Sequence, residues 1–68
     1  MNIILYSTNC PKCNVLEKKM TQKALDFSVI TDFDMREMIK KGFATAPVLV
    51  VDEKYMDFSM ANEWLNSL

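Results

Sequence analysis

Histidine is missing from this chain altogether. Its absence removes Cys-His and Ser-His nucleophile pairs and every His-ligated metal site. Cysteine is nearly as scarce. Two residues cannot complete a four-Cys zinc site within one chain, and they fall short of the several bridges that brace small secreted scaffolds. A single Gly and two Pro leave little material for loops, so most residues must lie in helices and strands. No apolar run approaches the ~20 residues of a membrane span. The opening Met1-Asn2-Ile3-Ile4-Leu5-Tyr6 has neither a basic leader region nor an apolar stretch long enough for a signal peptide. Charge of either sign is not in excess: eight basic residues face nine acidic ones, a net charge of −1. That excludes a strong nucleic-acid or anionic-membrane footprint. The expectation is a soluble, cytoplasmic protein with neither nucleic acid nor membrane among its partners.

What remains is a globular composition, half hydrophobic and a quarter charged, in 68 residues. A chain of this size buries only ~60% of its unfolded surface, which fits one small domain over residues 1–68. Asn2 to Tyr6 is an apolar run suited to a buried strand, followed by the turn-forming cluster Ser7-Thr8-Asn9. A helix is predicted from Pro11 to about Ala24, because proline suits the first helical position and Cys13, Leu16, Met20 and Ala24 share one face. Alternation over Asp26 to Thr31 predicts a second strand. Asp32 or Asp34 caps a short helix ending near Lys41, with Met35, Met38 and Ile39 inward and Gly42 just past its end. Pro47 to Val51 is a second apolar strand run. Asp52-Glu53 turns it into a short strand at Lys54 to Met56. Ser59 is the expected N-cap of a last helix whose stripe is Ala61, Trp64, Leu65 and Leu68. The order β-α-β-α-β-β-α requires a parallel pair around the first helix and an antiparallel hairpin near the end. This is an α/β fold, with a four-stranded mixed sheet flanked by three helices.

Cys10 and Cys13 are spaced i, i+3 where the first helix begins, which makes them neighbours. A disulfide needs Cβ atoms ~3.5–4.5 Å apart, and an N-cap residue has the non-helical freedom to reach that. An N-cap side chain also accepts hydrogen bonds from the second and third helical N–H groups, here those of Lys12 and Cys13. The helix dipole adds about half a positive charge at that end. Both effects favour a thiolate at Cys10, and the Lys12 charge acts in the same direction. Cys13, one turn deeper, is placed as a resolving thiol. The order strand, turn, Cys-Pro-x-Cys, helix favours this redox reading over two core cysteines or half of a metal site.

Tyr6-Ser7-Thr8-Asn9-Cys10-Pro11-Lys12-Cys13, with Thr45-Ala46-Pro47-Val48-Leu49-Val50-Val51 downstream, resembles the glutaredoxins and the small glutaredoxin-like redoxins that serve ribonucleotide reductase. The resemblance covers nearly the whole chain and implies a minimal thioredoxin fold. It implies a dithiol thiol-disulfide oxidoreductase acting on protein or mixed disulfides, ribonucleotide reductase being one candidate protein substrate. Electrons would come from glutathione or from a thioredoxin reductase, with no bound cofactor and no metal. By the same resemblance Pro47 is cis and faces the redox pair, and the Ala46 backbone hydrogen-bonds an extended substrate segment. Thr45, Lys12 and Phe58 complete the implied substrate-binding set.

The chain departs from that family in several places. Lys12 stands where glutathione-using members usually carry an aromatic, and Ser7-Thr8-Asn9 lacks their basic residue. Asp57-Phe58-Ser59-Met60-Ala61 replaces their Gly-Gly and acidic residue, and Phe58 is placed to fill a position similar to one in the ribonucleotide-reductase redoxins. The first strand has no acid to take a proton from Cys13. A different class of protein, a small Cys-x-x-Cys copper or zinc chaperone, shares the length and the motif, since soft thiolates select Cu(I). That fold needs strands where Asp34 to Lys41 and Ser59 to Leu68 read as helices. Met20, Met35 and Met38 sit at core spacing, as filler rather than ligands. Trp64 belongs to the apolar stripe of the last helix, and Lys18-Lys19 and Lys40-Lys41 are solvated helix faces.

Overall fold

The computed structural model describes residues 2–68. Its elements are β1 (Ile3–Tyr6), α1 (Pro11–Gln22), β2 (Ser28–Ile30), α2 (Met35–Lys40), β3 (Val48–Val51), β4 (Lys54–Met56) and α3 (Phe58–Asn66). The four strands form one sheet in the order β2-β1-β3-β4. β1 runs parallel to β2 and antiparallel to β3, and β3 and β4 form an antiparallel hairpin. A four-stranded mixed sheet with three helices in this order is a minimal thioredoxin fold.

β1 and β3 read as unbroken apolar runs because both of their faces are covered. Side chains alternate across a strand, so Ile3 and Leu5 of β1, with Leu49 of β3 and Met56 of β4, pack on one face. They meet Leu16 and Met20 of α1 and Ala61 and Leu65 of α3. On the opposite face Val48 and Val50 pack with Met38 of α2, and Ile4, Tyr6, Phe33, Met35, Phe43 and Tyr55 lie around them. The first cluster is the denser one: Leu5, Leu16, Leu49 and Leu65 expose nothing. Each such side chain contributes about 1.5–3 kcal/mol by leaving water. Lys19 Nζ donates to Asn62 Oδ1, tying α1 to α3 at the rim of this cluster.

Four local expectations are corrected. Ala24 is not on the inward face of α1, because the helix ends at Gln22 and Ala24 adopts a left-handed conformation with φ +55°. Ile39 is more than half exposed and only Met38 of α2 is fully inside, since a helix of six residues presents one turn and a half to the sheet. The N-cap of α3 is Asp57, whose Oδ1 accepts from Met60 N–H at 2.8 Å, so Ser59 lies within the first turn. Leu68 falls beyond the end of α3 and is exposed. The remaining caps follow the reading, with Asp34 rather than Asp32 capping α2 through Arg36 N–H. Among the described residues no helix is long and apolar enough to cross a membrane.

Candidate active site

The site forms where β1 ends. Ser7 continues the parallel pairing for one more bond, its N–H donating to Ile30 O at 3.0 Å. The chain then has to leave the sheet and enter α1 within three residues. It does so through Asn9, at φ +61°, a region that asparagine tolerates better than most residues. Asn9 N–H donates to Ser7 Oγ at 3.1 Å, which closes the turn from within. Cys10 follows in an extended conformation, φ −78° and ψ 163°, as the N-cap of α1, and Pro11 occupies the first helical position.

Cys10 Sγ accepts from Cys13 N–H at 3.2 Å. Of the two N–H donors expected at this sulfur, the Cys13 one is realised. Cys10 is partly exposed and Cys13 has no exposed surface, both as free thiols, so the outer sulfur is reachable and the inner one is not. Burial pushes the Cys13 thiol up. Hydrogen bonds from the Cys10 side chain, the Thr8 backbone and the Ser7 side chain outweigh it, and the net direction is down.

The second half of the site arrives from 36 residues downstream. Tyr6 is paired with Val48, which brings the residues just before β3 beside those just after β1. The Ala46–Pro47 peptide bond there is cis. The Cys10 thiol points at Ala46 O, 4.0 Å away. Pro47 is fully buried and Ala46 partly so. Cys10, Cys13 and Ala46 are thus brought into contact, with Pro47 bonded to the last of them. Lys12 and Phe58 make a pair of their own, the Lys12 ammonium lying 5.4 Å from the ring centroid. That contact joins the first turn of α1 to the first residue of α3. Thr45 is exposed and next in the chain to Ala46.

Ser7 is the residue that reading the sequence passed over. It is fully buried and polar, and its side chain is among the hydrogen-bonding groups that lower the Cys13 thiol. The available signal was its place at the strand end, two residues before an Asn able to turn left-handed. A shallow hollow lined by Asn14, Glu17, Lys18, Thr21 and Gln22 runs along the outward side of α1 and includes neither cysteine. Cys10, partly exposed, marks an open corner of the surface, and Cys13 lies beneath it.

Helices occupy both segments in which a Cys-x-x-Cys metal chaperone would need strands, residues 35–40 and 58–66, and the fold argues against that alternative. No curated protein matches the chain. A family model described as a thioredoxin domain matches residues 1–57, a span that holds both cysteines, the cis proline and all four strands. Sheet order, dithiol at a helix N-terminus and family match agree, and the chain belongs to the thioredoxin-domain family.

Proposed function

We propose that this protein is a glutaredoxin-like dithiol oxidoreductase that reduces protein or mixed disulfides, with Cys10 as nucleophile and Cys13 as resolving thiol. One observation carries the reading: a partly exposed sulfur at a helix N-cap, bonded to the N–H of a buried second cysteine, with a backbone carbonyl 4.0 Å away. Cys10 thiolate attacks one sulfur of the substrate disulfide, forms a mixed disulfide and expels the other sulfur as a thiolate. Cys13 then loses its proton and attacks Cys10 Sγ. The bond from Cys10 to the substrate breaks, reduced substrate leaves, and the Cys10–Cys13 disulfide retains the oxidation. Two electrons from glutathione, or from a thioredoxin reductase, restore the dithiol. The open corner suits a disulfide presented on an extended protein segment, with ribonucleotide reductase as one such substrate. Ala46 offers backbone to that segment, and Thr45, Pro47, Lys12 and Phe58 border it.

The test is NADPH consumption on a small mixed disulfide, with glutathione and glutathione reductase in one arm and a thioredoxin reductase in the other. Turnover in the first arm alone makes glutathione the donor; turnover in the second alone makes the protein a thioredoxin-like redoxin. Cys10→Ser abolishes turnover in either arm, and Cys13→Ser accumulates the mixed disulfide, visible as a mass adduct. Silence of the parent protein in both arms, or full activity of Cys10→Ser, overturns the reading.

A further inference from the structure

The resolving step needs a Cys13 thiolate inside the protein, and burial opposes it: Cys13 has no contact with the water that would solvate the charge. The groups that act on this sulfur are Cys10, Thr8 and Ser7, and none of them is a carboxylate or an amine. Ser7 is as buried as Cys13. Its Oγ accepts from Asn9 N–H at 3.1 Å, which leaves its own O–H available to donate. On the outer side Thr8 Oγ1 lies 4.0 Å from Cys13 Sγ. Two hydroxyls, one sealed and one at the surface, therefore flank the sulfur that must become charged.

We propose that Ser7 and Thr8 are positioning residues of the resolving step, their hydroxyls donating to Cys13 Sγ as it loses its proton and holding the thiolate aimed at Cys10. They occupy the place that an ionisable base would otherwise take. The hydroxyls keep their own protons. The proton lost by Cys13 is matched by the one taken up by the departing substrate thiolate, and no further reagent is consumed. Hydrogen bonds to a charged group are the strong ones, so the inner hydroxyl matters most. This inference rests on the dithiol reading above.

The test mixes reduced protein with one equivalent of 5,5′-dithiobis(2-nitrobenzoate) and follows the coloured thiolate in a stopped-flow instrument. The first release reports attack by Cys10, and the second reports closure by Cys13. In Ser7→Ala the second release is expected to slow about tenfold relative to the first at pH 7, and its pH midpoint to rise by about one unit. Thr8→Val shifts both in the same direction by less, about threefold in rate, and Ser7→Thr restores the parent profile. Loosening of the Asn9 turn alone slows both releases without moving the midpoint of the second, and that result overturns the proposal. Should circular dichroism show Ser7→Ala unfolded, the midpoint in Thr8→Val decides: a rise supports the proposal and no change refutes it. A parent protein with no second release fails the dithiol reading itself, and this inference with it.

Discussion

Serine and alanine at position 10 are expected to give two proteins that are equally inactive and unequally stable. Cys10 is the N-cap of α1 as well as the proposed nucleophile, and its sulfur accepts the Cys13 N–H at 3.2 Å. Few donors of that first turn need help: Pro11 has no N–H, and Asn14 N–H already reaches Cys10 O at 3.0 Å. The Cys13 N–H belongs to a residue with no exposed surface, so water is poorly placed to replace a lost partner. A serine oxygen keeps the acceptor where the helix needs it, whereas alanine removes it. Loss of an N-cap costs ~0.5–2 kcal/mol, and burial of the orphaned N–H puts this site in the upper half of that range. At ~4–8 °C per kcal/mol for a domain of this size, Cys10→Ala should melt roughly 5–16 °C below Cys10→Ser. Far-UV circular dichroism of both variants, heated in excess reductant at pH 7, reads the difference directly. Equal midpoints would refute the claim that the side chain of residue 10 caps α1, and with it the geometry assigned to the nucleophile.

Two further outcomes follow from other parts of the molecule. Ala24 occupies the left-handed position after α1, with Leu25 N–H bonded to Met20 O at 3.1 Å and Ala24 N–H to Thr21 O at 3.0 Å. Glycine is the usual residue there, so Ala24→Gly is expected to stabilise the protein by about 0.5–1 kcal/mol, the left-handed penalty less the extra unfolded-state entropy. An unchanged or lower urea midpoint would show that the penalty is not being paid at Ala24. The second outcome concerns pH. Cys13 is held below the ordinary thiol value of 9.0 in the folded state, so the unfolded chain keeps that proton to higher pH. The stability it contributes is full above 9.0 and is lost as pH falls through the folded value. Urea unfolding of the reduced protein should therefore gain free energy between pH 7 and 9.5, and Cys13→Ala should flatten that gain; a gain of the same size in Cys13→Ala would remove Cys13 as its source.

The elements of the fold were legible because burial on both sides leaves so plain a mark. Ile3 to Tyr6 and Val48 to Val51 are apolar throughout, and each lies at the centre of the sheet between two strands. The dithiol was legible for a local reason: Cys10, Pro11 and Cys13 carry the cap, the helix start and a buried second thiol within four consecutive residues. The boundaries that went astray depend on conformations that the residue types do not advertise. Ala24 has no intrinsic reason to be left-handed; it is held there by the bond from Leu25 to Met20 and by the packing of Leu25 against the core. Asp57 and Ser59 are both good caps, and the choice between them is made by Met56, which is buried at the end of β4 and leaves one residue before the helix must start. Ser7 looked like turn material because a serine is expected at the surface. Its burial is set by tertiary packing rather than by residue type.

The register between β1 and β3 links the fold to the chemistry. Tyr6 faces Val48 and Leu5 faces Leu49, so the end of one strand and the start of the other lie side by side. Four residues past Tyr6 is Cys10, and two before Val48 is Ala46. A slip of one residue would turn Leu49, which has no exposed surface, out of the cluster that holds Leu5, Leu16 and Leu65. A slip of two would restore the faces but carry Ala46 along by about 6.8 Å, taking its carbonyl well beyond the 4.0 Å that now separates it from Cys10 Sγ. The apolar side chains that select this register belong to clusters that do not include the cysteines. They nevertheless fix the distance between Cys10 and the backbone proposed to receive its substrate, so the core and the proposed site are specified by the same pairing.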